Sequence, residues 1–461
     1  MSSSEGWLHF CGAGGSGMSA LAQIHAWRGG RCTGSDRAFD QGERAAVRAA
    51  LAAAGVEIVP QDGTWPRAGC EALVASTAVE DSVPDVRAAR AAGVPILHRS
   101  ELLARYVAER DGIAVTGTSG KSTTTAMVAE ILMHAGLDPT VITGGALVRL
   151  EERGLLGNAL AGNGPHVVLE ADESDGSLVN YHPWAALILN LQRDHKEPAE
   201  VLAMFRTLAA QTRGPLVLGD DPALDPLLAA PPPGGVIRAG LAPGCDVRAV
   251  DLELASDRSR FTVDGVGFEL PLPGEHNVRD AVAAVAVARA AGVDPAAAAA
   301  ALRGFRGVAR RFQVVGERGG VTVVDDFAHN PDKLRAALAA ARLRGGRVLA
   351  FFQPHGYGPT RFLFPDLVTA FGEALAPDDV LWLPPIYYAG GSVTRDVEST
   401  DLTAAVRARG RDARDLEHRD ALPAAVAAAA RPGDVVLVLG ARDPSLSDLA
   451  RAVAAALPDP R

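Results

Sequence analysis

The segment 113–125 carries the strongest chemical signature in the chain. A short apolar run at 113–115 leads into GTSGKSTTT at 117–125, and a segment of helical character follows at 126–135. Successive backbone N–H groups at a helix N-terminus can bind phosphate oxygens, a lysine adds a mobile cation, and a serine or threonine hydroxyl can ligate Mg²⁺. The segment therefore predicts a phosphate-binding loop. Its residues are Gly117, Thr118, Ser119, Gly120, Lys121, Ser122 and Thr123.

The loop lacks the first glycine of the common G-x-x-x-x-G-K-[ST] pattern, because Val115 stands at that position. The alternative interpretation is a helix cap rich in glycine, serine and threonine. Lysine is rare in this chain, which contains only Lys121, Lys196 and Lys333. A lysine at this point therefore favours phosphate binding.

Acidic residues and a histidine follow two further apolar runs. The run 167–170 ends in EADESD at 170–175, and the run 186–190 leads to Asp194 and His195. If both runs are parallel neighbours of the strand before the phosphate loop, their carboxyl ends meet in one crevice. Mg²⁺ bridging phosphates would neutralise the acidic cluster. We predict Ser122, Glu170 and His195 as metal ligands; the alternative is a solvated acidic cap and a surface histidine.

A second glycine motif lies near the start of the chain. A strand-like run at 8–10 leads into Gly12, Gly14 and Gly17, a helix is predicted from about Met18, and Asp36 follows the next short run. Glycines allow a tight turn, and the helix N-terminus offers free N–H groups to a diphosphate. The motif predicts nucleotide binding over a plain glycine turn, without separating NAD from a nucleotide sugar.

Three more polar clusters stand at 274–277, 310–312 and 324–331. Asn277 could recognise a base edge, and Arg311 could balance phosphate charge. Each cluster alone could equally be a helix cap or turn, where Asn and Asp are favoured.

The elements that would position these residues alternate along the chain. Short runs rich in Val, Ile and Leu alternate with Ala-rich segments of helical period, such as 278–291. This alternation predicts an α/β fold of mostly parallel sheets covered by helices. A new series of alternating strand-like and helix-like segments begins near 109, and another begins near 310. This pattern predicts three domains at 1–108, 109–309 and 310–461.

Composition limits the classes of function. The chain has 461 residues and a formal net charge of −10, which argues against general binding to nucleic acid or to an anionic membrane. Hydrophobic residues make up 48% of the chain, so it is not mainly disordered. Neither a signal peptide nor an apolar run of about 18 residues is present, so we expect a cytoplasmic protein. The four scattered cysteines support neither a disulfide scaffold nor a zinc site.

Taken in order, the motifs resemble those of the Mur ligase superfamily, most closely its UDP-N-acetylmuramate:L-alanine ligases. The resemblance implies an N-terminal Rossmann-like UDP-binding domain, a central ATPase domain and a C-terminal Rossmann-like domain that brings the amino acid. It spans nearly the whole chain. The matching segments are GAGGSGMS at 12–19, GSD at 34–36, STAV at 76–79, GTSGKSTTT at 117–125, EADESD at 170–175, DH at 194–195, EHN at 275–277, RRF at 310–312, DDFAHNP at 325–331 and FQPH at 352–355.

The resemblance also implies a role for individual residues. Lys121, Glu170 and His195 are the implied catalytic residues. Asn277 is implied as the adenine contact, Arg311 as a nucleotide-phosphate contact and Asp326 as a ribose contact. The implied UDP-sugar site consists of Gly12, Gly14, Gly15, Ser16, Gly17 and Asp36, with Ser76 as a neighbour. On the amino-acid side the resemblance points to Glu173, His329, His355 and Arg361.

The implied reaction is Mg²⁺- and ATP-dependent amide formation in peptidoglycan precursor synthesis. UDP-N-acetylmuramate would be activated as an acyl phosphate and joined to an amino acid, with L-alanine favoured. Gly356 and Pro359 stand where relatives carry arginines, so glycine, serine or a peptide remain open as the amine. An NAD-dependent oxidoreductase and a non-catalytic Mur-like nucleotide-binding protein are the competing hypotheses.

Overall fold

The computed structural model describes residues 6–458, apart from 67, 78, 195, 389–393, 442 and 444. His195, a predicted metal ligand, therefore lies outside the described residues. Three separate sheets of mostly parallel strands follow one another along the chain, each accompanied by helices. The predicted α/β class with three domains is confirmed.

The first domain contains a five-stranded parallel sheet. Its strands are β1 Leu8–Cys11, β2 Cys32–Ser35, β3 Glu57–Ile58, β4 Ala72–Ala75 and β5 Ile96–His98. Its helices are α1 Ser16–Trp27, α2 Arg37–Asp40, α3 Ala45–Ala53, α4 Pro84–Ala91 and α5 Arg99–Ala108. The strand order β3-β2-β1-β4-β5 puts β1 at the centre of the sheet, so the glycine motif follows the central strand.

The central domain contains a ten-stranded sheet. Its strands are β6 Asp111–Thr116, β7 Thr140–Ile142, β8 Ala159–Leu160, β9 His166–Glu170, β10 Ala185–Ile188, β11 Leu216–Gly219, β12 Val236–Gly240, β13 Val247–Leu254, β14 Ser259–Val263 and β15 Val266–Leu270. Its helices are α6 Lys121–His134, α7 Val148–Glu151, α8 Pro198–Gln211, α9 Glu275–Ala290 and α10 Pro295–Arg303. The order is β15-β14-β13-β12-β11-β10-β6-β9-β7-β8.

Strand β6 lies between β9 and β10, and both are parallel to it. Val115 pairs with Glu170 on one side, and Thr116 pairs with Ile188 on the other. The carboxyl ends of the three strands therefore meet at one edge, as the sequence predicts. Helix α9 is rich in alanine and buried along nearly all its length, where it packs on α6 and the sheet.

The third domain contains a six-stranded sheet in which only β16 is antiparallel to its neighbour among the described strands. Its strands are β16 Gln313–Arg318, β17 Val321–Asp326, β18 Val348–Gln353, β19 Val380–Leu383, β20 Asp412–Asp415 and β21 Val435–Gly440. Its helices are α11 Pro331–Arg342, α12 Tyr357–Ala374, α13 Ser399–Ala408, α14 Leu422–Ala429 and α15 Leu446–Ala456. The domain limits at 108/109 and 309/310 remain predictions.

A buried polar network anchors the strands that lead into the first glycine motif. Asp85 Oδ2 accepts a hydrogen bond from Ser35 Oγ at 2.5 Å and lies 3.2 Å from His9 Nε2. His9 Nδ1 lies 2.8 Å from Thr33 Oγ1, and the Gly63 N–H donates to Asp85 Oδ1 at 2.8 Å. These bonds join β1 and β2 to α4 and satisfy polar groups that burial would otherwise penalise.

No helix in the described part of the chain is long and apolar enough to span a membrane.

Candidate functional site

A cavity of about 590 Å³ lies where the central and third domains meet. The central domain contributes the phosphate loop, the carboxyl ends of β9, β10 and β11, and the first turns of α9. The third domain contributes segments between 311 and 337. The predicted site residues that line the cavity are Thr118, Ser119, Gly120, Lys121, Ser122, Thr123, Glu170, Glu173, Asn277, Arg311, Asp326 and His329.

The phosphate loop is held against the segment that follows β10. The Ser119 N–H donates to Asn190 Oδ1 at 2.8 Å, and Asn190 Nδ2 donates to the Ser119 carbonyl at 3.0 Å. Gly120 has a φ of 86° and caps α6, which begins at Lys121. The helix thus begins five residues before the predicted start at 126. The first N–H groups of a helix lack acceptors within the helix, and the first residues of α6 line the cavity, so an anion bound there would be stabilised.

Lys121 bridges the loop to the acidic segment after β9. Its Nζ donates to the Gly117 carbonyl at 2.9 Å and to Glu173 Oε2 at 2.8 Å, and it lies 3.7 Å from Asp172 Oδ1. Burial by itself lowers the pKa of Lys121, but the surrounding carboxylates, led by Glu173, outweigh it and the net shift is upward. The ammonium is therefore charged and already oriented along the phosphate loop.

Glu170 presents hard oxygen donors at the end of β9. Its Oε1 accepts from Ser122 Oγ at 2.9 Å, while its Oε2 accepts from Thr143 Oγ1 at 2.8 Å and from the Gly144 N–H at 2.7 Å. A carboxylate next to a hydroxyl is the kind of oxygen set that Mg²⁺ prefers, so these residues fit the predicted metal. No group of three or more His, Cys, Asp or Glu side chains suited to a metal occurs among the described residues, which do not include His195.

The start of α9 forms one end of the cavity. Asn277 Nδ2 donates to the Pro273 carbonyl at 2.7 Å, so its side chain also stabilises the turn before the helix. Arg279 pairs with Asp220 after β11 and with Glu275. Burial lowers the pKa of His276 to about 4, which keeps the imidazole neutral.

The third domain presents its own charged groups to the cavity. Arg311 Nη2 donates to Ser122 Oγ at 3.2 Å, and its guanidinium lies 4.5 Å from the centre of the Phe327 ring. Asp326 accepts from the N–H groups of Phe312 at 2.6 Å and Ala328 at 2.7 Å. Arg311 therefore already contacts the phosphate-binding side of the central domain.

Asp194 connects the segment after β10 to helix α11. Its Oδ2 accepts from Asn330 Nδ2 at 2.8 Å and from Lys333 Nζ at 2.9 Å, and His329 Nε2 lies 3.7 Å away. The adjacent Arg193 lies 4.1 Å from the centre of the Phe362 ring on α12. The residues before His195 are therefore held by two helices of the third domain.

The first glycine motif forms a second candidate site, in the first domain. The Gly14 N–H donates to Asp36 Oδ2 at 2.8 Å, and Arg44 Nη1 donates to the Gly14 carbonyl at 2.7 Å. Gly15 precedes α1, which begins at Ser16. Gly12, with a φ of 78°, belongs to the loop. Gly17 lies in the first turn of α1, where a side chain would meet the Arg99 guanidinium.

Contacts with the central domain reach this second site from two sides. Asn158 Nδ2 donates to the Ser16 carbonyl at 2.7 Å, and Arg99 Nη2 donates to Asp175 at 2.6 Å. Ser76 lies after β4, and its carbonyl accepts from the Val79 N–H at 3.0 Å.

Some predicted site residues lie outside the cavity lining. Gly117, the first residue of the phosphate loop, has a φ of 130° and does not line the cavity. His355 does not line the cavity, but its ring centre lies 5.4 Å from that of His329, which does. Arg361 pairs with Asp396 and donates to the Thr394 carbonyl at 2.8 Å on an exposed part of the third domain.

Several charged lining residues were not among the predicted site residues; the four considered next are Asp220, Arg279, Asp280 and Lys333. The scarcity of lysine was the signal that could have pointed to Lys333. The other three depend on packing between elements that are distant in sequence.

Family models match the chain in order. They describe the Mur ligase family catalytic domain at 8–111, the Mur ligase middle domain at 115–288 and the Mur ligase glutamate ligase domain at 310–442.

Full-length relatives and a solved structure agree with these matches. A UDP-N-acetylmuramate–L-alanine ligase from Burkholderia multivorans is 38% identical, covering 94% of this chain and 95% of the relative. One from Pelotomaculum thermopropionicum is 38% identical, covering 95% of both. A crystal structure of the UDP-N-acetylmuramate–alanine ligase from Thermotoga maritima has a TM-score of 0.78 and 26% identity, covering 98% of this chain and 99% of that one. Together with the site geometry, these matches show that the chain belongs to the Mur ligase family.

Proposed function

We propose that this protein is an ATP-dependent UDP-N-acetylmuramate–L-alanine ligase of peptidoglycan synthesis. Its full-length similarity to ligases of that name supports the substrates. The observation that carries the proposal is the shared cavity. There the phosphate loop with Lys121, the Glu170 carboxylate and the third-domain residue Arg311 meet within one volume of about 590 Å³.

ATP fits this cavity with its phosphates on the phosphate loop. The backbone N–H groups at the start of α6, the Lys121 ammonium and the Arg311 guanidinium all offer positive charge to phosphate oxygens. The adenine end would lie toward Asn277 on α9, and the ribose toward Asp326. These roles remain proposals carried over from the family resemblance.

Ser122 and Glu170, with His195 by prediction, are the residues that would hold Mg²⁺. When bound, the ion would supply positive charge that stabilises the phosphate oxygens during transfer.

The reaction proceeds in two displacements. A carboxylate oxygen of UDP-N-acetylmuramate attacks the γ-phosphorus, the bond to ADP breaks, and an acyl phosphate forms. The amine nitrogen then attacks the acyl carbon, the carbon–oxygen bond to phosphate breaks, and the nitrogen loses a proton to give the amide. Lys121 and Arg311 stabilise the charge that builds on the transferred group. The two flanking domains position the acid and the amine, which lowers the entropic part of the barrier.

The first domain would hold the UDP part of the substrate. Its glycine loop ends at the N-terminus of α1, which suits a diphosphate. A reaction that uses ATP and a nucleotide sugar also fits the expected cytoplasmic location.

The test is phosphate release by the purified protein with ATP, Mg²⁺, UDP-N-acetylmuramate and a panel of amino acids. We expect release with L-alanine, dependence on all components, and a product whose mass equals that of the amide. Lys121→Ala should reduce the rate by about 10²-fold or more, because a cation at the transferred phosphate is lost. Absence of release with every amino acid would refute the ligase, and release with only another amino acid would replace L-alanine.

A further inference from the structure

Lys333 is a cavity-facing ammonium to which the sequence motifs assign no role. It lies in the first turn of α11, and its side chain is 23% exposed. Its Nζ is 2.9 Å from Asp194 Oδ2, the one acceptor that it contacts in the described part of the chain. An ammonium carries three donors, so this group retains capacity for a second ligand.

The pairing of Lys333 with Asp194 can be exchanged. Asp194 Oδ2 is also held by Asn330 Nδ2 at 2.8 Å, so the carboxylate keeps a buried partner if the lysine turns into the cavity. Burial, together with the positive charges of Lys121 and Arg311, lowers the pKa of Lys333. An anion entering this part of the cavity would therefore be stabilised by several cations.

The proposed reaction needs a cation at this place. In an amino acid the amine nitrogen and the carboxyl carbon are separated by about 2.5 Å, as standard bond lengths require. The group that binds the carboxylate must therefore lie close to the acyl phosphate under attack. It must also leave the phosphate loop to the nucleotide.

The other cations near the cavity already have partners or a different position. Lys121 lies along the phosphate loop, and Arg279 pairs with Asp220 and Glu275 at the α9 end. Arg361 pairs with Asp396 away from the lining. Positions 356 and 359, at the start of α12 next to His355, hold glycine and proline, which carry no charge.

We propose that Lys333 binds the α-carboxylate of the amino acid that the enzyme adds, exchanging Asp194 for the substrate. This inference rests on the proposed function and makes Lys333 a specificity-determining residue of the amino-acid site. The third domain then contributes both Arg311, for the nucleotide, and Lys333, for the amine substrate.

The test compares L-alanine with L-alaninamide, which has the same amine but no carboxylate. Steady-state constants would be measured for wild type, Lys333→Met and Lys333→Arg. Arg335→Met is the matched control, because Arg335 lies on the same helix and pairs with Asp332 and Glu373. Thermal melting of each variant would establish that it is folded.

We expect Lys333→Met to raise the KM for L-alanine about 30-fold, as for loss of a charge-assisted hydrogen bond. The KM for ATP and the activity with L-alaninamide should stay near wild type, and Lys333→Arg should restore part of the loss. Arg335→Met should behave as wild type.

Two results would overturn the inference while the proposed function stands. One is an unchanged KM for L-alanine in Lys333→Met. The other is an equal loss with both amines together with a raised KM for ATP, which would place Lys333 in nucleotide binding or in domain docking. A wild-type enzyme that releases no phosphate with any amino acid would instead refute the proposed function, and the inference with it.

Discussion

Asp280 is a buried carboxylic acid beside the phosphate loop. A side chain at Gly120 would place its first carbon 2.4 Å from Asp280 Oδ1, so the carboxyl group closely approaches the loop. Asp280 is only 6% exposed, and burial raises the pKa of its carboxyl group well above the ordinary value of 3.8. The group is therefore neutral at pH values where an exposed aspartate is charged, and it can donate a hydrogen bond.

This protonation makes stability depend on pH. Above about pH 4 the unfolded chain releases a proton that the folded state retains, so the free energy of unfolding falls as pH rises toward the folded pKa. The slope reaches about 1.4 kcal/mol per pH unit for one group. Asp280→Asn keeps the shape and has no proton to release. We predict that the stability of the variant relative to wild type increases as pH rises above about 4, the ordinary pKa of an aspartate, toward the raised pKa of Asp280 in the folded state.

Denaturant unfolding of both proteins across this pH range would measure the difference. If the free energies of unfolding of wild type and variant changed in parallel with pH, the prediction would be contradicted. Such a result would show that Asp280 has the same pKa in the folded and the unfolded chain.

Functional residues that lie within one continuous segment can be predicted from the local sequence. Residues that meet only because two domains pack together cannot be predicted in this way. GTSGKSTTT is readable because the loop, its lysine and the following helix are contiguous. The bond between Asp194 and Lys333 joins residues 139 positions apart, in different domains. No local pattern encodes that distance. Asn277 shows a second limit, since the same side chain serves the turn before α9 and faces the cavity.

At the scale of elements, the start of α6 depends on one backbone conformation. Gly120 has a φ of 86°, which residues other than glycine adopt with strain, and the space beside it is filled by Asp280. Gly136, just after the same helix, has a φ of 73°, but a Cβ atom added there would meet nothing within 4 Å. Substitution of Gly136 therefore tests backbone strain alone, whereas substitution of Gly120 tests backbone strain together with steric conflict.

We predict that Gly136→Ala lowers the free energy of unfolding by about 1 kcal/mol and leaves catalysis unchanged. Gly120→Ala should cost more and should raise the KM for ATP, because the loop must move away from Asp280. Thermal melts and ATP titrations of both variants would check this. Equal effects of the two substitutions on stability and on KM would show that steric conflict at 120 is unimportant.

Strands were predicted best where both faces are buried. β18 and β21 are buried along their whole length, and their continuous apolar runs at 348–352 and 435–439 stand out in the sequence. β13 and β14 mix exposed charged residues with buried ones, so they lack a continuous apolar run, and the antiparallel extension β13–β15 was not predicted. The start of α6 was misplaced because Lys121, Ser122 and Thr123 read as loop residues while glycine sets the true boundary.

At the scale of the whole molecule, the proposed reaction requires the two candidate sites to work together across domain boundaries. Arg99 lies at such a boundary, beside Gly17 of the first glycine motif and 2.6 Å from Asp175 of the acidic segment. Its side chain is 22% exposed and that of Asp175 is 11% exposed. Because both side chains are mostly buried, solvent and salt screen this ion pair less than they screen an ion pair on the surface.

We predict that Arg99→Ala raises the KM for UDP-N-acetylmuramate by about tenfold, because a cation beside the diphosphate loop is lost. The KM for ATP should change much less. Arg105→Ala, an exposed arginine on the same helix, is the control. A double-mutant cycle with Asp175→Ala would measure the coupling between the domains. An unchanged KM for the nucleotide sugar would contradict the prediction.

The scarcity of lysine has a practical consequence. Of the three lysines, Lys121 and Lys333 face the cavity and Lys196 pairs with Glu200 on the surface. Reductive methylation with isotopically labelled formaldehyde would therefore introduce no more than three side-chain amine labels in this sequence. Two of the three lysines line the cavity that we propose as the active site. Nucleotide and amino acid could then be followed as separate perturbations of individual resonances, in a protein of this size without further labelling.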